Sequence, residues 1–227
     1  NIAVEMFTKA IEYDPENGRA YAEKCCTLGG GLHDENLFPL SKDQIWDNIH
    51  DLLTQAYELT NQDWDCLRML CSANMYFEKY EEAEKYGRRG YEINPNNPGM
   101  LSNYGKSLVF NGSLDRGLNI LNKAMELSPL NEDIIDTLVW AYYAAEKFEK
   151  CIEFKPLSKH FSPHTWILRI ACLGALSRDQ ERNEEFEAFI DFYGIEQMNK
   201  GLADLKFNNT EIESNIRLLV SNDMGYI

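Results

Sequence analysis

The side chains of this sequence that could do chemistry are few and poorly matched to one another. His160 and His164 stand four apart, a spacing that puts two imidazoles on one helical face for a metal, with Cys151 upstream as a third donor. Pro163 lies between them, which argues against a shared helix and favours a turn carrying two solvated histidines. His33 and His50 have no partner at ligand spacing. Gly29-Gly30-Gly31 lacks the Lys-Ser/Thr of a phosphate loop and follows no strand pattern, so it reads as a helix stop. Cys25-Cys26 has no cationic neighbour beyond Lys24, and a core thiol beside an exposed one is expected. The acidic runs Glu81-Glu82-Ala83-Glu84 and Glu184-Glu185 read as solvated helix faces. With no nucleophile set beside a base, the chain is expected to be no enzyme and to bind neither cofactor nor metal.

Bulk composition narrows the partners. The 227 residues carry 37 acidic and 22 basic side chains, a net charge of −15. Nucleic acid is excluded as the expected partner, because a phosphate backbone needs a cationic footprint. A basic or neutral polypeptide fits better. No apolar run approaches the ~18 residues of a membrane span, so no membrane partner is expected and the cytoplasm is the expected location. The six cysteines form no CxxC pair and fall mostly at core spacings, as reduced thiols do. Asn111-Gly112-Ser113 and Asn208-Asn209-Thr210 match the glycosylation sequon, coincidentally in a cytosolic chain. The sequence opens inside a helix pattern without an initiator Met, as a fragment of something longer would.

What must position any functional side chain is an internal repeat. Gly90-Tyr91-Glu92-Ile93-Asn94-Pro95 and Ala124-Met125-Glu126-Leu127-Ser128-Pro129 lie 34 residues apart, and Ala56-Tyr57-Glu58-Leu59 lies 34 before the first. Ala10-Ile11-Glu12-Tyr13-Asp14-Pro15 lies 46 before Ala56, which is the period plus a 12-residue insertion. Ala83, Gly117 and Cys151 follow the same period, as do Asn61, Pro95, Pro129 and Pro163.

Each period reads as two helices. Residues 2–13 form a second helix and 19–28 the next first helix, ended by the three glycines. A loop to Leu40 follows, and Ser41-Lys42-Asp43-Gln44 is a capping box opening the next helix. Trp64–Phe77 with Glu81–Ile93, Gly99–Phe110 with Asp115–Leu127, and Glu132–Ala144 with Lys147–Lys155 form three regular pairs, the last cut off by Pro156. Thr165–Leu176 and Arg178–Tyr193 form a drifted pair, with Gly194 as its C-cap. Thr210-Glu211-Ile212-Glu213 is a second capping box, opening a terminal helix.

This pattern resembles the tetratricopeptide repeat (TPR) family over residues 1–193, carried by Ala83, Gly117 and Ala124, and by Cys71 and Gly105 in the first helices. Gly90 stands where the family has Ala, and Val139 is larger than the usual small residue. The resemblance implies an all-α, right-handed superhelical solenoid of antiparallel helix pairs with a helical C-terminal cap. Its expected parts are a partial repeat at 1–16, a repeat with the insertion at 17–61, repeats at 64–97, 98–131 and 132–163, a degenerate one at 164–193, and capping helices at 194–227.

In that family the first helices of successive repeats line a groove that binds a peptide or protein segment. Carried over, the face left by the core would present Arg68, Ser72 and Met75, then Asn103, Lys106 and Phe110, then Asp133, Asp136, Trp140 and Tyr143. Ile135, Leu138 and Tyr142 would be the core face of 132–144. The alternative is an ordinary solvated face, with Trp140 tucked against a neighbouring helix. Arg68, Asn103 and Lys106 suggest the family's carboxylate clamp, but Asp133 stands where another cation would be wanted. The order of pieces is also similar to TPR regions behind bacterial class III adenylate or guanylate cyclase domains or winged-helix regulators. That similarity rests on the insertion-bearing unit and on Trp166–Leu176, and implies a self-associating regulatory module in signalling.

Overall fold

A computed structural model describes residues 2–30, 41–60, 62–154, 161–204 and 214. Among these residues there are eleven helices: α1 (Ile2–Tyr13), α2 (Gly18–Gly30), α3 (Lys42–Thr60), α4 (Trp64–Tyr76), α5 (Tyr80–Ile93), α6 (Pro98–Phe110), α7 (Leu114–Leu127), α8 (Glu132–Ala144), α9 (Phe148–Glu153), α10 (Pro163–Ala175) and α11 (Asp179–Asp204). The chain divides into two compact units, Asn1–Ser107 and Leu108–Ile227.

The repeat period is written into the backbone at both kinds of turn. A short polar side chain opens the first helix of each pair. Asn17 Oδ1 accepts from the Ala20 N–H at 3.1 Å, Asp63 Oδ1 from Asp65 and Cys66 at 2.9 and 3.3 Å, and Asn97 Oδ1 from Met100 at 2.9 Å. In the second unit Asn131 Oδ1 accepts from Ile134 at 3.2 Å and Ser162 Oγ from Thr165 at 3.3 Å. Each satisfies an orphan amide donor of a helix start.

Within a pair the first helix closes on a residue in the left-handed region: Glu78 at φ 59°, Gly112 at 83°, Glu146 at 55° and Ser177 at 56°. The amide three residues past the helix reaches back each time, Lys79 to Asn74 O at 2.9 Å, Ser113 to Leu108 O at 2.8 Å, Lys147 to Tyr142 O and Arg178 to Leu173 O at 2.9 Å. These are Schellman closures, in which glycine is favoured and three of the four positions do without it.

In the first unit, Ile45, Ile49, Leu52, Leu53 and Ala56 of α3 pack with Ala22, Cys25 and Leu28 of α2 and with Leu67, Met69 and Leu70 of α4. The Ser41–Gln44 capping box forms, with Gln44 N–H donating to Ser41 Oγ at 3.2 Å and Ser41 N–H to Gln44 Oε1 at 3.0 Å. The glycine stop is placed too early by the sequence, because α2 runs on through Gly29 to Gly30. Gly87 lies where a Cβ would stand 3.1 Å from Tyr104 Cα and 3.2 Å from Cys71 Sγ, so α5 meets α4 and α6 with no room for a side chain.

In the second unit the core is aromatic-rich: Tyr143, Phe161, Trp166, Phe186 and Phe189 with Ile167, Ile170, Met198 and Leu202. Two helix ends differ from expectation. α9 stops at Glu153 and Phe154 is extended, with φ −69° and ψ 141°. Gly194 (φ 80°, ψ 165°) does not end the chain's helices but breaks α11, whose second arm brings Met198 and Leu202 into the core. Lys155, Pro156, His160 and the Thr210–Glu213 box lie outside the described residues.

Candidate protein-interaction faces

The first helices hold the side chains that the core leaves over. In the first unit, Asp65 accepts from two arginines, Arg19 Nη2 to Oδ2 and Arg68 Nε to Oδ1, both at 2.8 Å. Arg68 is thus tied within α4 and across to α2. Asn103 Nδ2 donates to the Arg68 carbonyl at 3.1 Å, and the Cys71 thiol donates to the Asn103 carbonyl at 3.5 Å. α4 and α6 are laced together by the very residues expected to meet a peptide. Ser72 and Lys106 are exposed and Met75 half-buried. Ser72 also lines a shallow cavity with Cys26, Ile49, Ala73, Tyr76 and Phe77.

The buried thiol there is held in its protonated form. Burial pushes the Cys71 thiol up to about 12. Cys25 is buried and Cys26 exposed, as the sequence suggested.

In the second unit Phe110 and Trp140 stack, their ring centroids 4.2 Å apart and planes 5° apart, and Trp140 also packs on the core. Asp133 is exposed. Asp136 is half-buried, and its Oδ1 accepts from the Thr165 hydroxyl at 2.5 Å, so it already has a structural partner. Tyr143 does not belong to this face. It is 3 % exposed, against Phe148 and Cys151, because it continues the buried row Ile135–Val139–Tyr143 at four-residue spacing. Tyr142, expected in the core, is half-buried, packs against the core cluster and donates its hydroxyl to Asn122 Oδ1 at 2.9 Å.

Chemistry of other kinds finds little here. His164 is exposed, and Cys151 donates its thiol to the Val139 carbonyl at 3.3 Å. Among the described residues no group of three or more His, Cys, Asp or Glu could hold a metal ion, and no helix is long and apolar enough to cross a membrane.

No family model matches the chain. PilW, a "widely conserved type IV pilus biogenesis factor", superposes with a TM-score of 0.69 at 12% identity, over 86% of this chain and 87% of that one. YrrB, described as "a TPR protein with an unusual peptide-binding site", superposes with a TM-score of 0.54 at 17% identity, over 89% of this chain and 100% of that one. The fold is the tetratricopeptide repeat. In sequence, the chain is 25% identical over 118 residues to BBSome complex member BBS4 of Bos taurus. That match takes in 52% of this chain and 22% of the relative, so the chain spans about a fifth of the relative's length.

Where the TPR pattern drifts, a residue that sequence reasoning passed over holds the helices. Arg169 is 8 % exposed, its Nη2 2.7 Å and Nε 3.4 Å from the Glu185 carboxylate. Its Nη1 donates to the carbonyls of Cys151 at 3.2 Å and Phe154 at 2.7 Å, and the guanidinium lies 4.6 Å from the centre of the Phe161 ring. These are the orphan carbonyls of the truncated α9. The signal was present as the single cation in Trp166–Leu176, since a charge on a buried face must be paired.

Proposed function

We propose that this TPR chain is a protein–protein interaction scaffold that holds a peptide or protein segment against its first helices and performs no catalysis of its own. The observation that carries this reading is the surplus on those helices. Ser72, Met75 and Lys106 in the first unit, and Phe110, Asp133 and Trp140 in the second, stay at least partly exposed on helices whose opposite sides are fully used by the core. The caps and Schellman closures fix the backbone beneath them, so little ordering remains to be done when a segment docks. A sequence relative belongs to a protein complex and a structural one has a peptide-binding site, uses that suit such a surface.

A photo-crosslinking amino acid placed at Ser72, and separately at the exposed Glu82 of α5, tests the reading in source-cell extract. Partners crosslinked from position 72 and not from 82 support docking on the first helices. Partners crosslinked from 82 alone would overturn it, and recovery of only the chain itself would replace it with self-association.

A further inference from the structure

We propose that α1 is a self-association face, on which a second copy of this chain packs its own α1 antiparallel. This is independent of the docking reading above, because α1 is a second helix.

The repeat supplies the comparison. Ala3, Phe7 and Ala10 of α1 correspond, 46 residues on, to Ile49, Leu53 and Ala56 of α3. A further 34 residues lead to Ala83, Gly87 and Gly90 of α5, and 34 more to Gly117, Leu121 and Ala124 of α7. All nine of those later residues are buried. At α5 the cover includes a first helix, with Cys71 and Leu67 of α4 beside Gly87 and Gly90. In α1 the same positions are open, Ala3 exposed and Phe7 and Ala10 half-buried. Val4 and Ile11 pack on the core of the first unit, whereas Ile2, Met6 and Tyr13 stay 79 %, 58 % and 90 % exposed. At 3.6 residues per turn these side chains form one unbroken apolar arc. It runs from Val4 and Ile11 through Phe7, Ala3 and Ala10 to Met6, Tyr13 and Ile2, and the fold covers only its first end. An outer helix of a repeat array needs a polar face toward water, and α1 presents the opposite.

This open face matches itself. In an antiparallel pair related by a two-fold near residue 8, Ala3 stands opposite Tyr13 of the other copy and Met6 opposite its Ala10. Each large side chain meets a small one, so the two helices can interdigitate. Glu5 and Lys9 lie along one flank of the face, where the two-fold sets each beside the opposite charge of the other copy. Such rim pairs fix register more than affinity. A single pair of short helices buries less than about 1,200 Å², so the dimer is weak and reversible. A net charge of −15 on each copy opposes contact, so association should tighten as salt screens it.

The test is sedimentation velocity of the intact chain across the micromolar range, at low and at high salt. Met6→Glu in α1 is compared with Leu130→Glu, which charges an exposed apolar side chain in the turn before α8. Both are first shown to melt like the wild type. A photo-crosslinking amino acid at position 13, used with the pure chain and in cell extract, identifies what lies on the face. The expected result is a reversible dimer, stronger at high salt, whose crosslink lands at or next to Ala3 of the other copy. Met6→Glu should weaken it about 100-fold or more, since the two-fold counts the substitution twice, and Leu130→Glu by less than about three-fold. A monomer at every concentration would overturn the inference, as would a dimer indifferent to Met6→Glu. A crosslink in extract to a different polypeptide, with no self-crosslink, would overturn it too and give α1 to that partner. None of these results bears on what crosslinks from position 72.

Discussion

In the first unit, α4 and α5 are held together by taking atoms away. Gly87 lets α5 approach Cys71 and the backbone of Tyr104 closely, and the thiol and amide contacts around Asn103 run beside them. In the second unit, α9, α10 and α11 are held by adding atoms. A buried guanidinium joins a carboxylate on α11 to two carbonyls at the end of α9, within a cluster of bulky rings. A regular repeat can rely on small residues because its helix spacing is uniform. Once α9 is cut to six residues the spacing is lost, and only a long, branched, multivalent side chain can reach all the groups left unsatisfied.

The sharpest way to break that contrast is Arg169→Met. It removes five donors while keeping volume, and strands Glu185 and the α9 carbonyls. A loss of about 3–5 kcal/mol is expected, read by urea unfolding, together with loss of α9 protection in hydrogen exchange. An effect below about 1 kcal/mol would show that the ring cluster holds these helices unaided.

Gly87→Ala is the counterpart in the first unit. Helix propensity would favour Ala by up to about 1 kcal/mol, but the new methyl meets a backbone Cα at 3.1 Å and a buried thiol at 3.2 Å. Overpacking of about 1–3 kcal/mol should prevail, leaving a net destabilisation of about 1 kcal/mol. The same substitution at the half-buried Gly29, where a Cβ meets nothing within 4 Å, is the control and should be neutral or stabilising.

The smallest effects concern what the two units share. Glu78→Gly and Glu146→Gly relieve a left-handed residue and should each stabilise by roughly 0.5–1 kcal/mol, raising the melting temperature. Gly112→Ala should do the reverse by a similar amount. Equal responses at 78 and 146 would mean that the turns are interchangeable. A response at only one would place the difference between the units in the turns as well as in the crossings.

Much of this was legible from the chain alone, for reasons that differ by residue. The helix pairs followed from apolar spacing and from the 34-residue period, and the Ser41–Gln44 box from residues three apart. Local chemistry of that kind is decided within a turn or two of backbone. The faces were read less well. Arg68, Ser72, Lys106, Asp133 and Trp140 do stand outside the buried rows and Tyr142 packs at the edge of the core, whereas Tyr143 was assigned to the wrong side. A tyrosine fits either environment, and one hundred degrees of helix rotation separates the two neighbours.

The sequence by itself determined the class of fold, the order and pairing of the helices, the Ser41–Gln44 cap, and the acidic character that any partner must meet. Tertiary structure decided the rest. It engaged Asp136 with Thr165, joined Asn103 to Arg68, laid Trp140 on Phe110 and set Arg169 at the end of α9. Those pairs are separated by about 15 to 35 residues, and no local rule of propensity or capping reaches that far. They form because folding brings groups together that must be satisfied out of water.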